Sequence, residues 1–168
     1  MTVRVREADP GDAEAIALIY NEGIEERQAT FDTRPRTAAE MGERLGDAGA
    51  PPFLVAELNG RVAGWARVSP TSSRECYAGV GEASIYVGRG HRAAGVGRAL
   101  LEALAAAAER AGYWKLVGLV FPTNAASVGL LRAVGFRDVG MHRRHGRLEG
   151  EWRDVLVLER LLGPAAVD

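Results

Sequence analysis

The residues best suited to chemistry lie in one stretch, where an acidic strand runs into a basic, glycine-rich loop and then into a helix. The strand, Gly81–Val87, carries a single carboxylate, Glu82, and the loop Arg92–Arg98 contains Gly95 and Gly97. The first N–H groups of a helix lack an intrahelical partner. This order therefore predicts an anion site beside a carboxylate that can accept a proton.

The sequence of the loop narrows the kind of anion. A nucleotide P-loop ends in Gly-Lys-Ser or Gly-Lys-Thr, and this loop has neither that ending nor the glycine spacing of a dinucleotide fingerprint. Gly95 and Gly97 have no Cβ, so they let the backbone approach an anion closely. A plain strand-to-helix turn is the alternative that the loop alone leaves open.

Composition excludes several kinds of partner. The chain has 168 residues, 47% of them hydrophobic, with 21 Lys and Arg against 22 Asp and Glu, for a net charge of −1. Nucleic-acid binding needs a basic excess, so we expect no nucleic-acid partner. The start of the chain has no secretory pattern, and no apolar run approaches the roughly 18 residues of a membrane span. We therefore expect a cytoplasmic protein with no membrane partner.

No metal site is predicted either. Cys76 is the only cysteine, which excludes a site with several thiolate ligands and an internal disulfide. The three histidines, His91, His142 and His145, lack the spacing of a helical ligand pair.

The order of elements predicts an α/β fold, a single mixed sheet flanked by helices in the sequence β-α-α-β-β-β-α-β-α-β-β. Thr37–Glu40 forms a capping box that starts a helix, and Asn59-Gly60 is typical of a type I′ hairpin turn. The last two strands are predicted at Phe136–His145 and Glu151–Leu161. We expect one domain over residues 1–163 and a short tail over residues 164–168.

The same residues resemble the GCN5-related N-acetyltransferase (GNAT) family, whose pyrophosphate loop has the pattern R-x-x-G-x-G found at Arg92–Gly97. Within that family the chain is similar to the phosphinothricin and methionine sulfoximine acetyltransferase branch, and among its members to the arsinothricin-resistance enzymes. The stretches that carry this resemblance are Tyr20–Ile24, Thr30–Thr33, Arg74–Tyr77, Glu82–Val87, Pro122–Ser127, Gly135-Phe136 and Gly150–Val155.

The resemblance implies a GNAT fold that binds acetyl-coenzyme A as co-substrate and needs no metal. It implies that backbone N–H groups of the loop hold the pyrophosphate while Arg92 adds charge. It also implies that the strand backbone holds the pantetheine and that the N–H of Val87 polarises the thioester carbonyl. The implied cofactor residues are Tyr86, Val87, Arg92, Ala94, Gly95, Val96, Gly97, Arg98, Asn124 and Ser127. For Asn124 and Ser127, helix capping is an alternative role.

For the reaction itself, the resemblance implies that Glu82 is the general base. Arg74 and Tyr77 would bind the acidic side group of the substrate, and a guanidinium fork suits two acid oxygens. Phe31 and Thr33 would line the substrate pocket. Arg74 as an unpartnered surface arginine and Phe31 as a plain core aromatic are the alternatives.

Two positions depart from the family pattern. Many relatives place a tyrosine at the position of Leu131 to protonate the leaving thiolate, and leucine cannot do that. A histidine near the last hairpin in some relatives falls on Glu149 here, so that role does not transfer. His145 lies nearby as a possible substitute, although a loop histidine is more often solvated.

The implied function is acetylation of the α-amine of a glutamate-mimic amino acid, namely arsinothricin, phosphinothricin or methionine sulfoximine, and hence resistance to it. One alternative is an N-acetyltransferase for another small amine, an amino acid or a protein N-terminus. The other is a non-catalytic acyl-coenzyme A sensor, in which Glu82 would be dispensable. By analogy we expect a homodimer in which Trp152 reaches the partner's site.

Overall fold

The computed structural model describes residues 2–167, which form one seven-stranded sheet in the order β1-β2-β3-β4-β5-β7-β6 with helices on both faces. The elements are β1 (Val3–Glu7), α1 (Ala13–Glu26), α2 (Ala38–Gly42), β2 (Phe53–Leu58), β3 (Arg61–Pro70), β4 (Val80–Val87), α3 (Val96–Arg110), β5 (Lys115–Val120), α4 (Ala125–Ala133), β6 (Arg137–Leu148) and β7 (Glu151–Leu161). The predicted fold class and element order are confirmed.

The sheet is antiparallel except at its centre. There β4 and β5 run parallel and pair only through Val80–Glu82 and Lys115–Val117. β5 instead pairs along its whole length with β7, from Lys115–Leu161 to Val120–Leu156. The pairing of the two central strands ends at Glu82 and Val117, and beyond this point the sheet opens.

Alternation along β2 and β3 builds a hydrophobic core on each face of the sheet. Leu54 packs in the cluster that contains Leu100 and Leu104 of α3, whereas its neighbour Val55 packs with Ile16 of α1. Successive side chains of a strand point to opposite faces, so the two clusters hold α3 and α1 on opposite sides of the sheet.

The local signals predicted from sequence occur as hydrogen bonds and backbone angles. Thr37 Oγ1 accepts a hydrogen bond from the Glu40 N–H at 3.2 Å, and Glu40 Oε2 accepts one from the Thr37 N–H at 2.7 Å. Asn59 and Gly60 have φ values of 53° and 76°, as a type I′ turn requires. Both predictions are confirmed.

The last hairpin is longer than predicted. Its first strand, placed by sequence at Phe136–His145, runs to Leu148 and turns at Glu149-Gly150, whose φ values are 51° and 83°. The pairing of this strand is irregular between Asp138 and Gly140 and again between His142 and Gly146. Such bulges interrupt the alternation of side chains by which a strand is predicted, so the sequence pattern underestimates its length.

None of the helices described between residues 2 and 167 is both long and apolar enough to cross a membrane. The boundary between the domain at 1–163 and the tail at 164–168 stays a prediction. Met1 and Asp168, the two ends of those ranges, lie outside the described residues.

A buried ion pair fixes the start of α1 to β1. The Asp12 carboxylate is only 6% exposed and accepts hydrogen bonds from Arg6 Nη1 at 2.7 Å, from Arg6 Nη2 at 2.9 Å and from the Asp9 N–H at 2.9 Å. The Arg6 hydrogen bonds hold the pKa of Asp12 below its usual value, against the opposing effect of burial.

We predict that Asp12→Asn lowers the free energy of unfolding by about 2 kcal/mol, because it weakens charged hydrogen bonds in a buried setting. The depressed pKa means that this contribution is complete above the unfolded-state pKa and is lost as the pH falls through the folded-state pKa. Urea unfolding of both proteins should therefore show a difference at pH 7 that shrinks below about pH 4. Asp138→Asn, which weakens an exposed pair with Arg132, is the matched control and should change stability little. Equal losses in both variants would contradict this account.

Candidate active site

The divergence of β4 from β5 leaves one edge of β4 unpaired beyond Glu82. The Gly88 N–H donates to the Ala63 carbonyl oxygen on β3 at 2.8 Å. Because N–H groups alternate in direction along a strand, the Val87 N–H points to the opposite edge, into the gap. The gap thus presents a free strand edge to an extended ligand.

The glycine-rich loop closes one side of this gap. Ala93 and Gly95 have φ values of 61° and 80°, and Gly95 is the N-cap of α3 without any side-chain cap hydrogen bond. The first-turn N–H groups of α3 therefore remain for an anion. A Cβ at Gly95 would meet no atom within 4 Å, so its positive φ is what requires glycine.

Gly97 lines the groove and also lies close to α4. A Cβ there would lie 2.8 Å from Leu130 Cδ2 on α4. Gly97 thus permits close packing of α3 against α4, and its role in the approach to an anion stays a prediction.

A groove of about 580 Å³ joins the strand edge to the N-termini of α3 and α4. Every predicted cofactor residue except Ala94 lines it: Tyr86, Val87, Arg92, Gly95, Val96, Gly97, Arg98, Asn124 and Ser127. Asn124 also caps α4, because its Oδ1 accepts from the Ser127 N–H at 3.2 Å. The predicted cofactor positions therefore converge on one surface.

The charge at the mouth of the groove is partly neutralised. Arg92 Nη2 lies 2.8 Å from one oxygen of Glu26, and Arg89 Nε lies 2.9 Å from the other. These hydrogen bonds, that of Arg92 foremost, lower the pKa of Glu26. An anion in the groove would rely on the helix N-termini as well as on Arg92.

A second cavity, of about 420 Å³, adjoins the groove and shares five lining residues with it: Ala29, Ile85, Tyr86, Asn124 and Ser127. Glu82 is half-buried in its wall. Burial raises the pKa of Glu82, while the positive charge of Arg67 opposes that rise. Within residues 2–167 no group donates a hydrogen bond to this carboxylate, so it is open to a ligand.

Aromatic rings form one wall of the second cavity. The ring centroids of Trp65 and Tyr86 are 4.8 Å apart, and Tyr20 meets Tyr86 edge-on at 4.9 Å. Tyr20 donates to Asp32 Oδ2 at 2.6 Å, and Tyr86 donates to the Ala29 carbonyl oxygen at 3.2 Å. Burial raises the pKa of both phenols, which keeps them neutral.

The structure places one of the two predicted lining residues in the cavity. Phe31 lines it and packs edge-on against Phe121 at 4.9 Å. A Cβ at Gly146 would lie 2.7 Å from the Phe31 ring, so the bulged strand β6 makes room for this side chain. Thr33 is exposed and is not among the lining residues.

Arg74 and Tyr77 are likewise not among the residues that line the cavity. Both are exposed in the turn before β4, where the Arg74 guanidinium carbon lies 5.4 Å from the centroid of the Tyr77 ring. Their assignment to the acidic group of a substrate stays a prediction.

Sequence reasoning missed Arg67. It lies on β3 opposite Ser84 and lines the cavity with Glu82. Alternation puts Trp65, Arg67 and Ser69 on one face of β3, but the sequence pattern does not show that this face lies beside Glu82, which follows from the pairing of β3 with β4.

The positions at or near the departures from the family pattern, Leu131, His145 and Glu149, lie in different surroundings. Leu131 is buried and lines the cavity, so no phenol stands there. His145 also lines the cavity and stacks on His142 at 4.5 Å. Glu149 instead pairs with Arg27 at 2.9 Å, which ties the last turn to the end of α1. Among the described residues no group of three or more His, Cys, Asp or Glu could hold a metal ion.

A central sheet that opens beside a helix N-terminus, with a carboxylate at the opening, is an arrangement that suits an acyltransferase with an extended, anionic co-substrate. Comparison with known proteins gives the family. Residues 17–136 match the model of the acetyltransferase (GNAT) family. The chain belongs to this family and is an N-acetyltransferase by fold and descent.

Three relatives illustrate the similarity. The phosphinothricin N-acetyltransferase of Streptomyces viridochromogenes is 35% identical, over 91% of this chain and 84% of that protein. The L-methionine sulfoximine/L-methionine sulfone acetyltransferase of Pseudomonas aeruginosa is 30% identical, over 98% of this chain and 97% of that protein. The crystal structure of a GNAT superfamily phosphinothricin acetyltransferase from Sinorhizobium meliloti, in complex with acetyl-coenzyme A, has a TM-score of 0.89 and 31% identity, covering 97% and 90% of the two chains.

We predict that Gly64→Ala destabilises the groove. Its Cβ would lie 2.9 Å from the Tyr86 carbonyl oxygen and 3.1 Å from Val96 Cγ1, so β3, β4 and α3 must move apart. Overpacking of this kind costs about 1–3 kcal/mol, and acetyl-coenzyme A binding should weaken with it. Thermal unfolding with and without acetyl-coenzyme A measures both effects. The control is Gly90→Ala, where a Cβ meets nothing within 4 Å; a Gly64 variant as stable as that control would refute the packing argument.

Proposed function

We propose that this protein transfers an acetyl group from acetyl-coenzyme A to the α-amine of a glutamate-mimic amino acid, namely phosphinothricin, methionine sulfoximine or arsinothricin. The observation that carries the proposal is Glu82, a carboxylate without a hydrogen-bond or ion-pair partner among residues 2–167, in a cavity that adjoins the groove. The names of the relatives, which act on phosphinothricin and methionine sulfoximine, support the substrate class. The biological role would be resistance to such inhibitors.

The groove suits acetyl-coenzyme A because it combines an open strand edge with an uncapped helix N-terminus. Bound there, acetyl-coenzyme A would supply the acetyl group as a thioester. The first-turn N–H groups of α3 and the charge of Arg92 would bind the pyrophosphate. The Val87 N–H would donate to the thioester carbonyl oxygen, which gains negative charge during attack.

Glu82 would act on the second substrate. An amino acid enters with a protonated amine, which cannot attack a carbonyl carbon until it loses a proton. Glu82 would accept that proton, directly or through one water, leaving a neutral amine beside the groove. A raised pKa brings the carboxylate closer to the working pH and makes it a stronger base. Holding both substrates together then supplies much of the rate.

Two other functions remain to be tested by the same assay. Acetylation of another small amine, an amino acid or a protein N-terminus would use the same base and groove but a different occupant of the cavity. A non-catalytic acyl-coenzyme A sensor would bind the coenzyme without turnover, and loss of Glu82 would leave that binding and its effect intact.

The homodimer also belongs to the proposal. β6 is an edge strand of the sheet, and Val139, Met141 and Trp152 of the last hairpin are about half exposed. An exposed edge with apolar side chains favours pairing with a second copy. A cytoplasmic location is proposed with it.

We predict that Glu82→Gln lowers kcat by 10²–10⁴-fold while acetyl-coenzyme A still binds, because general-base assistance is lost without a change in shape. Thiol release at saturating phosphinothricin measures kcat, and calorimetry measures binding. Because burial raises the pKa of Glu82, the acidic limb of wild-type kcat/KM should lie above pH 4.5 and should disappear in the variant.

The control for this variant is Glu14→Gln, an exposed carboxylate on α1, which should keep wild-type kinetics. Full activity in Glu82→Gln would reject the assigned base. Coenzyme binding without turnover on any amine would instead support the sensor.

We predict that Arg74→Ala raises KM about 10-fold or more for phosphinothricin, whose side group is anionic, and much less for methionine sulfone, whose side group is uncharged. kcat should change little, since Arg74 would bind rather than react. Steady-state kinetics with both substrates test this, with the exposed Arg61→Ala as control. An unchanged KM for phosphinothricin would make Arg74 an ordinary surface arginine.

A further inference from the structure

The cavity contains a permanent positive charge without a protein partner. Arg67 makes no hydrogen bond or ion pair with any residue from 2 to 167, and its Nε is buried. Other arginines around the site do have acceptors, such as Arg36 with Asp32 and Arg92 with Glu26. A partly buried guanidinium without a hydrogen-bond acceptor lowers the stability of the fold. A structural role alone therefore does not explain why Arg67 stands here.

Aromatic rings rather than acids position this guanidinium. Its central carbon lies 5.8 Å from the Trp65 ring centroid and 5.9 Å from that of Phe53. Contacts of this kind orient a guanidinium without occupying its N–H groups. Arg67 is therefore held in the cavity wall with donors to spare.

The register fixes Arg67 relative to the base. Arg67 pairs with Ser84, and Ser69 pairs with Glu82, so Arg67 and Glu82 are diagonal neighbours on one face of β3 and β4. Backbone positions in that relation are about 7–8 Å apart, within reach of long side chains. Yet no nitrogen of Arg67 lies within 4.0 Å of a Glu82 oxygen. The two opposite charges face one cavity without joining.

A ligand that carries the two complementary charges on adjacent atoms would satisfy both groups. An α-amino acid does so, because its ammonium and its carboxylate share one carbon. We propose that Arg67 binds the α-carboxylate of the substrate amino acid while Glu82 receives its amine, so that Arg67 determines specificity for amino acids over simple amines. This inference rests on the function proposed above, and it identifies the residue that recognises the α-carboxylate common to these substrates.

The assignment also separates the two arginines near the site. Arg67 lies beside the Trp65–Tyr86 pair within the β3–β4 ladder, whereas Arg74 lies beyond the opposite end, after the Pro70–Gly81 pair. One substrate lying across Glu82 would meet Arg67 on one side only. The side group, which differs between substrates, would then lie on the other side of Glu82. The α-carboxylate, which all of them share, would contact Arg67.

The test compares substrates with and without the carboxylate. We would measure kcat/KM for methionine sulfone and for 3-(methylsulfonyl)propylamine, which differs only in lacking the carboxylate. The wild type should prefer the amino acid by roughly 100-fold, because a guanidinium built to bind a carboxylate rejects an analogue that lacks it. Arg67→Met should remove most of that preference by lowering the amino-acid value alone, chiefly through KM.

Arg67→Lys should keep part of the preference, since it retains the charge but loses the fork, and it serves if the methionine variant does not fold. Arg61→Met, at the exposed start of the same strand, should keep all of it. A second pair, phosphinothricin and 3-aminopropyl(methyl)phosphinic acid, locates the acid that Arg67 recognises. If Arg67→Met lowers kcat/KM for both phosphinic compounds and for neither sulfone compound, then Arg67 binds the acidic side group and the inference is overturned.

Equal losses with and without the carboxylate, together with a shifted acidic limb, would also overturn it, because Arg67 would then act only on the pKa of Glu82. The failure of the underlying function looks different. A wild type that acetylates none of the amino acids rejects the proposed function itself, whereas a wild type active on them with an unchanged preference in Arg67→Met rejects only the role of Arg67.

Discussion

The short parallel pairing between β4 and β5 is the constraint on which the rest of the site depends. Three residues on each strand pair, and the strands then separate, while β5 stays paired along its whole length with β7 on its other edge. Gly118 on β5 lets the Leu131 side chain pack against the opened part of the sheet, since a Cβ at Gly118 would lie 3.0 Å from Leu131 Cδ1. One opening thereby creates a free strand edge for one ligand and places the last paired residue, Glu82, beside it.

Electrostatics at that opening is a balance of two opposed effects. Burial favours the protonated form of Glu82, and the charge of Arg67 favours the ionised form. Neither Glu82 nor Arg67 forms a salt bridge with any residue from 2 to 167, so the carboxylate keeps its lone pairs and the guanidinium keeps its donors. A direct ion pair would have satisfied both groups and removed them from the chemistry. The diagonal register, which separates them, is therefore as important as their identity.

Features that depend on residues close together in the chain could be predicted from the sequence, and features that depend on distant residues could not. Caps and turns such as Thr37 with Glu40 and Asn59-Gly60 depend on neighbours in the chain, so they could be read directly. The part of the groove that β4, the glycine-rich loop and α3 form could be predicted, because these elements are consecutive in the chain. Arg67 could not be placed without the pairing of β3 with β4, and the bulges that bring His145 to the cavity follow no periodic pattern.

The leucine at position 131 limits how the reaction can end. A buried hydrocarbon side chain lines the cavity there, so the proton for the leaving sulfur must come from elsewhere. Thiols have a pKa of about 8.5, so a thiolate leaves near neutral pH with little need of a proton, unlike an alkoxide. Under the proposed mechanism, Glu82 would hold the proton of the amine and could then serve as an acid in the same cavity. Because the leaving thiolate is weakly basic, the transfer has little need of a proton donor. A site with one well-placed base could therefore complete the transfer without a dedicated acid.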